Sequence, residues 1–297
     1  ELAEASRAAG LPHYEGVSWL NCANVYRAQG RLAEARGAAS RAIDSLSTSS
    51  SGNELAAAWV LKASIVALMG RLEEARLLLI EPGAELRHSA RSEFLAESAD
   101  IEAQLGDAAT ARHLLEEIDD STTRSSRETE ALAWTTLDVR EGRLEAAATG
   151  AERLVTDRPS LNAGHGSRAQ ATQAMVFVLA GRAGAEEVAR RALRTAERQN
   201  ARIWRELASL ALASHENNVS PAVVALPETL QCVLSLGTEL IVSRLASLSS
   251  EAYDIVLAEA RSRSSRWLPA LRLAALTGEG PNGLAAARLL DKIGEAS

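Results

Sequence analysis

The phrase "QGRLAEARGAASRAI" occupies residues 29–43, and "MGRLEEARLLLI" at 69–80 says nearly the same thing forty residues later. A phrase that returns along a chain marks a repeated structural unit, so the first quantity to extract is its period. Glycines in the equivalent position stand at Gly30, Gly70, Gly106, Gly142 and Gly181, separated by 40, 36, 36 and 39 residues. Periods of this size belong to arrays of stacked helix pairs. Each glycine follows one apolar helical stretch and precedes another. A chain leaving a helix there needs positive φ, which glycine adopts without steric cost, so each glycine is the expected hinge of a helical hairpin.

Other positions keep step with the hinge. Eleven residues before it stand Trp19, Trp59 and Leu95, and seven before it stand Ala23, Ala63, Ala99, Thr135 and Ala174. Five residues after it come Ala35, Ala75, Ala111 and Ala147. A bulky anchor with small residues two turns apart lets a second helix approach closely, so Trp19 and Trp59 are expected in the core. Between the hairpins, Ser51 with Glu54, Ser125 with Glu128 and Ser167 with Gln170 read as capping boxes at helix starts.

"WLNCANVYRAQGRLAEARGAASRAI" resembles a tetratricopeptide (TPR) repeat, a pattern that places Trp, a small residue, Tyr, Gly and two later alanines at this spacing. The resemblance runs over residues 16 to 198, and "ELAEASRAAG" reads as the second helix of an earlier, truncated repeat. Glu102 and Asp138 stand where the family has Tyr, and the spacing exceeds the usual TPR period of about 34 residues. The implied fold is all-α: an α-solenoid of TPR-like helical hairpins over 1–214, followed by a helical C-terminal segment over 215–297 that is either HEAT-like or a cap. Helical stretches in that segment are expected near 227–246, 249–262, 265–277 and 282–293.

In a TPR stack the first helix of each pair lines the concave side, so the resemblance also points to a binding face. Six, nine and thirteen residues before each hinge lie Asn24, Asn21 and Val17; Ser64, Leu61 and Ala57; Asp100, Glu97 and Glu93; Thr136, Ala133 and Thr129; and Met175, Thr172 and Arg168. The polar contacts expected there are Asn21, Asn24, Ser64, Glu93, Glu97, Asp100, Thr136 and Arg168. Glu93, Glu97 and Asp100 fall at i, i+4 and i+7 and form an acidic stripe. TPR domains that clamp a chaperone's C-terminal carboxylate need basic groups where this chain has Glu93 and Glu97, so that role is disfavoured.

Composition narrows the function classes. A net charge of −7 gives no broad footprint for nucleic acid, and no apolar run of eighteen or more is present to span a membrane. Cys22 and Cys232 stand far apart without a CxxC partner, which fits reduced thiols and a cytoplasmic setting. The five histidines form no HxxxH pair, no G-x-S-x-G elbow is present, and the Gly-rich "GEGPNG" at 278–283 lacks the Lys-Ser/Thr of a phosphate loop. No catalytic residue, metal site or cofactor is therefore expected.

The expectation is a non-catalytic protein-interaction or ligand-sensing solenoid. Its partner is a protein, a peptide or a small inducer in the concave groove, and oligomerisation is compatible with it. The "GRLxEAR" phrases and the ending "AARLLDKIGEAS" are similar to the TPR-like region of large bacterial LuxR-type and maltose-activator-like ATP-dependent transcription regulators. That similarity implies a regulatory segment whose ATP- and DNA-binding domains lie elsewhere, and a chain starting at Glu1 inside a helical phrase reads as a piece of something longer. The alternative is a stand-alone TPR scaffold docking a peptide or helix of a partner.

Overall fold

All five hinge glycines adopt left-handed backbone, with φ between +62° and +93°. At each, the glycine N–H and the N–H after it reach back to carbonyls of the preceding turn, as in Gly30 to Arg27 (3.0 Å) and Arg31 to Tyr26 (2.9 Å). These bonds satisfy carbonyls that the helix end would otherwise leave without a partner. The computed structural model describes residues 2–49, 52–80, 90–118, 124–156, 163–221, 235–262, 264–277 and 280–294.

Among the described residues the chain is all-helical, with sixteen α-helices, one 3₁₀ turn and no strand. They are α1 (Leu2–Ala8), α2 (Pro12–Ala28), α3 (Leu32–Leu46), α4 (Gly52–Leu68), α5 (Leu72–Ile80), α6 (Arg91–Leu105), α7 (Ala108–Glu116) and α8 (Arg124–Arg140). After these come α9 (Leu144–Thr156), α10 (Ala163–Leu179), α11 (Ala185–Arg198) and α12 (Arg202–His215). The last four are α13 (Ser235–Val242), α14 (Ser250–Ser262), α15 (Ser264–Thr277) and α16 (Pro281–Gly294). Among the described residues, no helix is long and apolar enough to cross a membrane.

Helices α2–α3, α4–α5, α6–α7, α8–α9 and α10–α11 are the five hairpins, and each first helix also touches the first helix of the next pair, ending with α12. The small residues in phase with the hinges make this approach close. Ala23, Ala63, Ala99 and Ala174 are fully buried, as are Ala35, Ala75, Ala111 and Ala147. Trp19 and Trp59 differ from expectation: both are only half-buried, with Arg41 and Lys62 lying over their outer faces at 4.6 and 5.3 Å. A cationic side chain covers the face of each indole that the helices leave open.

The capping boxes also need correction. Ser167 lies inside α10, a turn past its start, and bonds the side chain of Gln199; Ser125 lies inside α8, which begins at Arg124. Ser51, His88 and Cys232 lie outside the described residues.

Two further contacts shape the molecule. Helix α2 meets α10, and the hinge at Gly30 abuts α12, where a Cβ on Gly30 would lie 3.2 Å from Arg202 Cβ and Ile203 Cγ1. The row of first helices therefore bends round until the first hairpin reaches the fifth. The C-terminal helices then lie on the side formed by the first helices: α13 packs on α8, α10 and α12, and α15 on α6 and α8. Trp267 of α15 is fully buried and belongs to one apolar cluster with Met175 of α10, Leu207 of α12 and Leu240 of α13.

Candidate functional site

Because α13 and α15 cover the first helices of the later hairpins, the space left among the first helices lies beside the earlier ones. It is a cavity of about 710 Å³ to which α2, α4, α6, α8, α10 and α12 all contribute. Its apolar wall includes Leu20 and Val25 from α2, Val60, Leu61 and Leu68 from α4, and Trp204 from α12. Its polar wall includes Asn21, Asn24, Arg27, Ser64, Glu93, Glu97, Glu128 and Arg168.

Spacing along each helix explains this assembly. Asn21, Asn24 and Arg27 follow one another at three-residue steps on α2, and Glu93 and Glu97 stand one turn apart on α6, so each set shares a face. Arg27 donates from Nη1 to Ser64 Oγ (3.1 Å) and from Nη2 to Asn24 Oδ1 (3.3 Å), tying α2 to α4. Arg168 reaches from α10 to α6, where its Nη2 lies 3.1 Å from Asp100 Oδ2. Gln104 Nε2 donates to the same oxygen at 2.9 Å, and the Arg168 guanidinium stands 5.9 Å from the Trp204 ring.

Burial dominates the electrostatics here. Withdrawal from water, with Asp100 next along the helix, pushes the Glu97 carboxyl up to about 7, against the pull of Arg168 and Arg27 and a hydrogen bond from Ser64. Asp100 is raised by burial too, although Arg168 and Gln104 favour its ionised form. Arg27 is lowered by burial and by the like charge of Arg168, with Glu97 and Glu128 opposing.

Six of the eight residues expected to bind, Asn21, Asn24, Ser64, Glu93, Glu97 and Arg168, converge on this cavity. The other two do not. Asp100 and Thr136 line a separate void of about 10 Å³, closed over by Leu236 of α13. Nor is the acidic stripe an open face: Glu97 and Asp100 are 5% and 3% exposed, and only Glu93 is half-buried. The chain's own C-terminal helices occupy the groove in which Asp100 and Thr136 were expected to meet a partner.

Sequence reasoning missed Arg27, Ser126, Glu128, Gln199 and Trp204. One signal was available for some of the lining. Continuing the inward register one more turn, three or four residues past Asn24, Ser64, Asp100 and Thr136, reaches Arg27, Leu68, Gln104 and Arg140. The first two line the cavity, the third the void. Arg140 joins α8 to α13: its Nη1 lies 2.8 Å from Glu239 Oε1, with both side chains buried, and its Nη2 donates to the Gln104 carbonyl at 3.1 Å.

These features define an all-helical chain of successive helical hairpins with a cavity bordered by their first helices. Compared with known proteins, the chain matches no family model and no curated protein.

Proposed function

We propose that this chain is a non-catalytic, ligand-sensing α-solenoid of TPR-like hairpins, and that the cavity among its first helices receives a small molecule. The carrying observation is the cavity of about 710 Å³ with contributions from the first helices of all five hairpins and from α12. Small-molecule sites commonly enclose about 300–1,000 Å³ and combine an apolar lining with a few converging polar groups. A ligand touching every first helix also senses their relative positions, and in doing so alters the surface that the array presents elsewhere.

The similarity of the "GRLxEAR" phrases to the TPR-like region of LuxR-type, maltose-activator-like regulators supports placing such a sensor in a larger bacterial transcription regulator, with DNA binding carried by other parts. The test is a thermal-stability screen of the folded chain against a small-molecule library, with every stabilising compound retested on Ala57→Trp. Ala57 lines the cavity, and an indole there takes up part of it. Stabilisation of the parent that disappears in Ala57→Trp is the expected result. Compounds that stabilise both forms equally would show that the cavity is not the site.

A further inference from the structure

The small void beneath α13 has a chemistry of its own. Asp100 and Gln104 from α6, Thr136 from α8 and Arg168 and Thr172 from α10 bring five polar side chains to it, and Leu236 of α13 lies over them. Its volume is about 10 Å³, against roughly 10–15 Å³ for a single buried water. Nothing larger fits. The Gln104 amide shows what remains to be satisfied there. Its Nε2 donates to Asp100 Oδ2 at 2.9 Å, and Arg168 Nη2 donates to the same oxygen at 3.1 Å. A carboxylate that accepts from both sides holds the amide with its nitrogen towards Asp100, so Oε1 is turned away from it. Gln104 is 3% exposed and lines the void but not the larger cavity, and its Oε1 has no hydrogen-bond partner among the described residues. Arg168 Nε is likewise buried without one. The first is an acceptor and the second a donor, on two helices that the Asp100 to Arg168 bond draws together. Folded proteins seldom leave such atoms orphaned, because each has given up its hydration.

We propose that this void is a binding site for one internal water molecule, which donates a hydrogen bond to Gln104 Oε1 and accepts one from Arg168 Nε–H. Its second O–H and second lone pair are left for the hydroxyls of Thr136 and Thr172, each of which can turn to donate or accept. A buried water with three or four such partners is a fixed part of a fold. A cation in its place would stand against the Arg168 guanidinium and an anion against the Asp100 carboxylate, so the neutral molecule fits best. The site bears on the larger cavity through Arg168, which lines both. Asp100 holds the guanidinium at Nη2 and the water holds it at Nε, which fixes the orientation in which Arg168 faces the cavity. The water site stands whether or not that cavity receives a ligand.

Two measurements on the full chain test this. A high-resolution crystal structure should show one water in the void, about 2.7–3.2 Å from both Gln104 Oε1 and Arg168 Nε. In solution, magnetic relaxation dispersion of water oxygen-17 counts the waters that exchange slowly with bulk. Thr136→Ile, whose larger apolar side chain enters the void, should lower that count by one. Circular dichroism verifies that the variant is folded, and if it is not, Gln104→Met, which removes the acceptor, should lower the count in the same way. A void without density would show that Gln104 Oε1 and Arg168 Nε find protein partners, and density whose occupancy follows the identity of the buffer cation would show an ion. Either result overturns the proposal, as does a count of long-lived waters that the folded variant leaves unchanged.

Discussion

Glu97 shows how burial of one side chain sets a property of the folded state. Its carboxyl titrates at about 7 in the fold against an ordinary 4.5, so between those values the folded chain holds a proton that the unfolded chain releases. Stability therefore falls as pH rises from about 4.5 to about 7, and the full penalty, on the order of 3 kcal/mol, applies above that range. Glu97→Gln removes the charge and keeps the shape. Its thermal midpoint should exceed the parent's by several degrees at pH 8 and match it near pH 5, as read by calorimetry. Equal midpoints at both pH values would mean that the carboxyl is solvated in the fold. Asp107 behaves in the opposite sense. It caps α7 by accepting from the Thr110 N–H at 3.0 Å, and that bond holds its carboxyl below the usual range. Its contribution is present above the ordinary Asp value and is lost as pH falls through the lowered one.

The helices are joined at points whose demands differ, and two comparisons separate them. Gly30 and Gly142 share left-handed backbone, at +76° and +74°, but a Cβ on Gly30 meets α12 while one on Gly142 meets nothing within 4 Å. Gly142→Ala should cost about 1–2 kcal/mol for the conformation alone. Gly30→Ala should cost more, by about 1 kcal/mol or above, because α12 must move. Denaturant titrations of the two variants measure the difference, and equal losses would indicate that the first hairpin does not press on α12. The second comparison concerns the buried Arg140–Glu239 pair that binds α13 to α8. Glu239→Ala leaves a guanidinium without its counter-charge and should destabilise by about 3–5 kcal/mol. Arg140→Met with Glu239→Leu removes both charges and should recover most of that loss. A double variant as unstable as the single one would show that α13 depends on the ion pair itself.

At the scale of the whole molecule, the contacts between distant helices bear on how the chain unfolds. An open array loses stability locally, because each unit leans only on its neighbours. Here α2 touches α10, and α13 and α15 pack across the first helices of the third to fifth hairpins, so distant units share one apolar cluster. Trp267→Ala, at a fully buried site in α15, should cost about 3–5 kcal/mol. Hydrogen exchange followed by mass spectrometry should show protection falling in α6 and α8 together with α14 to α16. Loss confined to residues 250–294 would mark the C-terminal helices as an independent unit.

The chain's local chemistry determined its units. Glycine's tolerance of positive φ and the helical period of small and apolar side chains act within a few residues of one another, so the five hinges, the buried alanine stripe and the inward face of the first helices were all legible in order along the sequence. What only the tertiary structure decided depends on groups far apart in the chain. The same register that placed Asn21, Asn24, Ser64 and Glu97 on the cavity placed Asp100 and Thr136 beneath α13, and no local pattern says which first helices α13 and α15 will cover. Closure of α2 on α10 is likewise the sum of small rotations between successive hairpins, and it brings Arg168 to Asp100 across 68 residues. Periodicity specifies which way a side chain faces, whereas what it finds there is set by the packing of every other helix.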